Sequence, residues 1–559
     1  MLKAILQQMK LKMKIRINKV LVLLLLAGSA LSSAAQTPVT QVENEALLAV
    51  EPSEKISENP SFEDSVKIHS DLKYGMVERK AASVFVPKTI NAPKLGAEKA
   101  QVAKLYNGLM KVAVIDFSTL PVMELSYGSK YSKDYMYSVN ARHFASDLKT
   151  TALSPARITE TGVEFSGKRF LKTHTLFGDF SYNYNTRRYY GADFNLQDIN
   201  PDLLKQFFAI GHLQVGAQST YRKESDLHHK VTLDYYNIFD AFNMQENRIA
   251  LKANVRPTIA DYKGNIDAAV DWFTYSNNKG SHSSILVQVS PGVLFKGGRY
   301  TAKLGFNTYF LGEDTSGAHI YPFAEGEYTL IKDVFVAYAK YRGFFERYDY
   351  LKHIETNPFF GTSAALTNSS HLNNTFVGLR GNISSKISFN AGFEFDKIKN
   401  LPLYINDNNS FGNRLFTVVT DNVMMLRFFG QLTWEMKKVQ LAIKGDYRSY
   451  TTYNEAKAWQ LPALELGFSG KYNFQDLVFA KVDVYYLGDQ YARGLYENGA
   501  YSVIKLPGIV DVNFGLEYKY NKRLSAFLNV NNLLNKQYRR WNQYSSYGIN
   551  FLGGFSYAF

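Results

Sequence analysis

His143 and Ser146 lie close in sequence with Asp147 beside them, the residue types that a hydrolase uses as base, nucleophile and orienting acid. Proximity along the chain is weak support, and ordinary residues at a strand end are the plainer reading. His228 and His229 offer imidazole ligands, but neighbours on a strand project to opposite faces and no acids cluster with them. A turn feature is the simpler account. The pairs Tyr189-Tyr190, Phe359-Phe360 and Tyr485-Tyr486 could stack on sugars, or could be girdle residues at a membrane surface, which are commoner. Phosphate-loop, dinucleotide, zinc-protease and nucleophile-elbow motifs are all absent. No catalytic residue, cofactor or metal ligand is expected, and the chain reads as a non-enzyme.

The elements that would carry these side chains are strands. In the terminal segment Ile549, Phe551, Gly553, Phe555, Tyr557 and Phe559 share one face, while Asn550, Leu552, Gly554, Ser556 and Ala558 share the other. Soluble domains leave their ends in water, so a nearly all-apolar face running to the last residue points to lipid on one side and a wet lumen on the other. The same split recurs upstream. Val510, Val512, Phe514, Leu516, Tyr518 and Tyr520 alternate with Asp511, Asn513, Gly515, Glu517 and Lys519. The lumen-side acids Asp483, Asp511 and Glu517 are balanced by Lys471, Lys481 and Lys519. A sandwich would alternate too, but no helices or second core are available to cover so many apolar faces.

Composition agrees. The chain has 39 Tyr and 39 Phe, slightly negative mean hydropathy and no cysteine. Disulfides and thiolate sites are thereby excluded. Residues 1–35 read as a signal peptide: Lys3, Lys10, Lys12, Lys14, Arg16 and Lys19 precede the apolar run Val20 to Leu26, and Ser33-Ala34-Ala35 offers a cleavage site. That run is too short for a spanning helix. Its removal lowers the formal net charge from +14 to +8, which takes away the main support for nucleic-acid binding.

Residues 36–66 hold seven acids against Lys55 and read as a disordered tail; 67–104 reverse the balance and read as an extended periplasmic arm. That arm is a linker, a docking strand or a partial lumen filler. Residues 105–559 form the barrel. Short links at Tyr131 to Lys133, Gly297-Gly298, Ser384 to Lys386, Lys437-Lys438, Phe474 to Asp476 and Asn521 to Arg523 belong to the periplasmic side. Longer ones at Tyr190 to Ala209, Arg347 to Leu372 and Gln537 to Tyr547 face outward. The alternation counts eleven hairpins, from a first strand near Leu109 to a closing strand near Ile549. The fold class is therefore all-β: a closed transmembrane antiparallel barrel of about 22 strands in the outer membrane, with a short N-terminal arm in the periplasm.

Near its end the chain resembles the barrel of a TonB-dependent receptor of the Bacteroidetes type. The likeness rests on Asn531, Asn532, Leu533, Asn535, Lys536 and Tyr538, followed by Trp541, Tyr544, Gly548 and the aromatic last strand. A weaker likeness covers Leu105 to Ser146. The resemblance implies a 22-stranded wall and energised import through a plugged lumen, but residues 36–104 are too few and too polar for the family's globular plug. Two functions follow. One is a transport channel, or a receptor with a reduced or partner-supplied plug. The other is a scaffold anchoring an envelope complex through the arm and outer loops. Membrane lipid, the barrel assembly machinery and a periplasmic or surface protein are the expected partners. An unfilled lumen would leak, so inward loops, the arm or a partner should fill it.

Overall fold

The computed structural model describes residues 106–559, apart from 117–120, 131, 148–155, 192–203, 224–225, 260–261, 313–316, 333, 362–366, 411–413 and 498–499. The expected leader, acidic tail and arm lie outside the described residues. One antiparallel sheet contains 23 hydrogen-bonded strands. Thr258–Ile259 continues Gln245–Arg256 past Pro257, and both lie against Tyr262–Asn277, so the wall has 22 staves. Every expected start falls within its own strand or one residue from it.

Period-2 patterning dictates which way each side chain points. On Gly108–Ile115, Met110, Val112 and Val114 are exposed to the lipid side, whereas Lys111, Ala113 and Ile115 are buried on the lumen side. On the last strand, Asn550–Ala558, Phe551, Phe555 and Tyr557 face outward and Asn550, Leu552, Ser556 and Ala558 inward. That strand pairs with Leu524–Asn531 on one side and with Gly108–Ile115 on the other, in a register that sets Met110 opposite Tyr557 and Val112 opposite Phe555. The seam ends where Phe559 N donates to Gly108 O and Gly108 N to Phe559 O, at 2.9 and 3.0 Å. Ile549 and Phe559 flank the strand with their side chains exposed.

Strand ends departed from the pattern at the long-loop end. Ile158–Phe170, Lys205–Ser219 and Thr367–Ser384 begin five to eight residues before the alternation becomes visible at Val163, Leu213 and Thr375. Beyond the hydrocarbon both faces meet polar surroundings, so the apolar marker fades while the hydrogen-bond ladder continues. Ile387–Asn406 and Phe416–Glu435 are the extreme, at 20 residues each. About 9–11 residues cross a bilayer, so these two stand well above it. The six short links expected from the sequence all lie at the opposite end, which by loop length faces the periplasm.

Gly554 sits on the seam, where a Cβ would overlap the Val112 carbonyl and come 2.6 Å from Ala113 Cβ; Gly430, on an ordinary stave, has open space around it. Gly554→Val should therefore destabilise the folded barrel by about 1–3 kcal/mol, and Gly430→Val should leave it unchanged. Urea titration of the heat-modifiable band on gels reads both, and equal midpoints for the two variants would contradict this account of the seam.

Candidate functional site

Among the described residues, parts of three outer loops turn in over the mouth. Its parts begin with the one α-helix among the described residues, Tyr350–Thr356, which is short and needs anchoring. Asp349 caps it, Oδ1 accepting from Lys352 N at 2.9 Å. Glu246 on the wall accepts from Tyr350 N at 2.7 Å and from Leu351 N at 3.2 Å, meeting two of the helix's orphan donors. The Tyr236 hydroxyl lies 2.9 Å from both Glu246 Oε1 and Asp349 Oδ2, and the Tyr350 hydroxyl donates to Asp240 Oδ2 at 3.1 Å. The helix is thus pinned to the wall by carboxylates that themselves sit on strand ends.

Its other face carries aromatics. His353 stacks on Phe360 with centroids 4.4 Å apart, and its Nδ1 is 3.0 Å from the Tyr404 hydroxyl. Phe359 lies flat on Tyr544 at 3.4 Å, and Tyr190 meets Tyr544 edge-on at 5.0 Å. Trp541 packs edge-on against Tyr404 and Phe416, each at 5.5 Å. Backbone carbonyls take the hydroxyl protons: Tyr190 donates to Ser545 O and Tyr544 to Arg414 O, both at 2.7 Å, and Tyr547 donates to Ala156 O. Burial raises the Tyr190 and Tyr544 hydroxyls well above their ordinary pKa, so they remain donors.

Position around the ring gives this junction its meaning. Tyr190 follows the fifth stave (His174–Arg188). Phe359 lies between the thirteenth (Phe335–Tyr348) and fourteenth (Thr367–Ser384), and Tyr544 between the twenty-first (Leu524–Asn531) and the last. These points divide the circumference into near thirds. Side chains from them can touch only by crossing the mouth. A second cluster braces the cap: Leu401, Leu403 and Ile405 pack with Trp459 and Leu461, while Tyr404 on the same strand belongs to the junction.

The structure corrects the girdle reading of two aromatic pairs. Tyr189, Tyr190, Phe359 and Phe360 are buried in the junction, away from lipid. Pattern reading missed this because an aromatic pair in a loop looks the same whether the loop turns out or in. Tyr485 and Tyr486 are partly buried on the wall, Tyr485 against a small cluster with Leu487, Ile509 and Tyr538. His143 and Ser146 point to opposite faces: His143 Nδ1 is 2.8 Å from Thr161 Oγ1, and Ser146 is buried beside the lumen. They form no nucleophile–base pair.

The residues behind the resemblance build the turn that delivers Trp541 and Tyr544. Asn532 and Asn535 adopt positive φ of 49° and 48°, a region that asparagine tolerates. Asn532 Nδ2 donates to the Lys536 and Tyr547 carbonyls at 2.8 Å each, Asn535 Oδ1 accepts from Ile549 N at 2.9 Å, and Asn531 Nδ2 donates to Asn550 Oδ1 at 3.0 Å. Tyr538 donates to Asp511 at 2.6 Å, and the exposed Leu533 bonds through its N–H to Val512 O. A gap with room for about one water is lined by Tyr190, Phe359, Tyr538, Arg540, Trp541 and Tyr544, all buried within the junction.

No family model matches the chain, and no curated protein matches it. Solved structures do. The FrpB iron transporter from Neisseria meningitidis (F3-3 variant) aligns with a TM-score of 0.64 at 10% identity, over 82% of each chain. The siderophore receptor PirA from Acinetobacter baumannii aligns with a TM-score of 0.61 at 10% identity, over 82% of this chain and 81% of its own. A mutant ferric enterobactin receptor, PfeA from Pseudomonas aeruginosa, gives 0.59 at 10% identity, over 81% and 80%. At such identities the likeness is one of fold.

Burial pushes the His353 pKa down to about 3, with Lys352 adding to the effect, and its Nε2 has no hydrogen-bond partner among the described residues. The docked ring is neutral. A released loop would titrate near the ordinary value of about 6.5, so between these values the released form binds the extra proton and docking weakens as pH falls. Protease cleavage after Lys352 should accelerate below about pH 6.5, and His353→Phe, which keeps the stack on Phe360, should flatten the response. An equally acid-sensitive His353→Phe would exclude this residue as the cause.

Proposed function

We propose that this chain is an outer-membrane transport barrel that rests closed and opens when a solute engages its loops. The observation that carries the reading is the junction of Tyr190, Phe359 and Tyr544, drawn from three thirds of the wall. A wall of 22 staves encloses a lumen too wide for its own side chains to fill. Either function needs the lumen closed against leakage, but loops that meet through stacked rings, without a covalent or strand-paired seal, suit a closure that can part. The fold shared with iron and siderophore receptors supports the same reading. Membership in the Bacteroidetes-type receptor group, a reduced or partner-supplied plug and insertion by the barrel assembly machinery belong to this proposal.

The groups that the closed junction buries indicate what would engage it once it parts. Aromatic rings around the Arg540 guanidinium, whose Nη1 donates to Gln460 O at 3.2 Å, would then suit an anionic solute with planar groups. Ferric chelates of the kind that the structural neighbours are described as receiving fall within that class. Binding there competes with the Tyr190–Tyr544 and Phe359–Tyr544 contacts, so affinity and opening are linked.

Single-channel recording in planar bilayers tests the proposal. The unmodified barrel should conduct rarely, and Phe359→Ala with Tyr544→Ala should raise open probability at least tenfold, because removing two buried rings costs several kcal/mol of closure. A large, steady conductance from the unmodified barrel would overturn the closed resting state. A barrel that stays shut in the double variant and leaves native membranes with a stoichiometric partner would favour the scaffold.

A further inference from the structure

Sequence adjacency drew attention to His228 and His229, but folding pairs His229 with another residue. Leu176 and Val231 are lipid-side residues of His174–Arg188 and His228–Asp240, so by alternation His174 and His229 share that outer face at the turn end. They flank the end of Lys205–Ser219: Ser219 is opposite His174 in register, and its Oγ accepts from His229 N at 2.9 Å. The rings reach over that strand until their Nε2 atoms are 3.2 Å apart. Tyr221 stands beside both, its ring 5.6 Å from that of His174 and 6.2 Å from that of His229.

We propose that His174 and His229 form a binding site for a borderline divalent transition-metal ion, with Zn2+ or Cu2+ as the ions of choice. Imidazole nitrogen bonds such metals at about 2.0–2.1 Å, so two atoms 3.2 Å apart subtend roughly 100° at the metal, close to the tetrahedral angle. The remote ring nitrogens are held as metal-bound histidines require. His229 Nδ1 is 3.1 Å from Leu227 O, an acceptor only, which places the proton on Nδ1 and frees the Nε2 lone pair. His174 Nδ1 is 2.9 Å from Thr173 Oγ1, which accepts equally well. Water completes the coordination. The ion would tie the start of His174–Arg188 to the start of His228–Asp240 across the strand between them. The competing arrangement is a hydrogen bond between two neutral rings, with Thr173 donating to His174.

The test uses the full barrel, folded in detergent and purified without a histidine tag, in equilibrium dialysis against Zn2+ and in electron paramagnetic resonance with Cu2+. One equivalent of metal is expected, with the hyperfine pattern of two imidazole nitrogens on Cu2+. His174→Asn and His229→Asn should each abolish it. His228→Asn should retain it, and Thr173→Ala should weaken it by about tenfold while the heat-modifiable band stays intact. No bound metal in the unmodified barrel, or stoichiometric metal persisting in the His174→Asn, His229→Asn double variant, would overturn the site and leave the shared hydrogen bond as the explanation.

Discussion

Hydrocarbon offers no partner to a backbone N–H or C=O, so every strand of this wall must be paired on both sides and the sheet must end where it began. That requirement places Asn550–Ala558 against Gly108–Ile115 and makes the seam a condition for all the other staves. An open edge would strand a row of polar groups in lipid, each costing several kcal/mol. Closure with this many strands also fixes the circumference. The width of the lumen follows from it, and the aromatic junction at the mouth answers that width.

Inside, the same low-dielectric logic organises charge. Arg448 Nη1 meets Glu465 at 2.9 Å, Arg427 Nη1 meets Glu394 at 3.1 Å, and Arg248 Nη2 meets Asp271 at 2.6 Å, each between lumen-facing side chains that are largely buried. Lys111 pairs with Glu124 across neighbouring strands at 2.8 Å beside the seam, and Lys481 with Asp483 along one strand at 2.6 Å. Such pairs hold charges where an isolated one would be expelled. The mixed lumen is therefore a stitched lining, and it leaves the apolar work of closing the mouth to the loops.

Much of this was legible in the sequence. Alternation as in Val510 to Tyr520 identified strands, because a two-sided environment writes itself on every second residue. It located each stave and the seam. It did not locate what the loops do, since the direction of a loop depends on contacts between segments hundreds of residues apart. Tyr190 and Phe359 carry no local mark that they meet Tyr544. His229 likewise carries no mark of His174, which lies two staves away. The asparagines at 531, 532 and 535 were visible as a pattern, yet the reason for their type at 532 and 535 emerges only from the left-handed backbone they adopt.

The seam also sets an order in time. Asp116 Oδ1 accepts from Phe551 N at 2.6 Å across a sequence separation of 435 residues, and Gly108 pairs with Phe559. The cylinder cannot close until Asn550–Ala558 is available to Gly108–Ile115. Until then that strand lacks its second partner, and long-range pairing of this kind is slow and exposed to aggregation. Function at the mouth thus depends on a pairing between the two strands of the wall most distant in sequence, which runs down to the opposite end of the molecule.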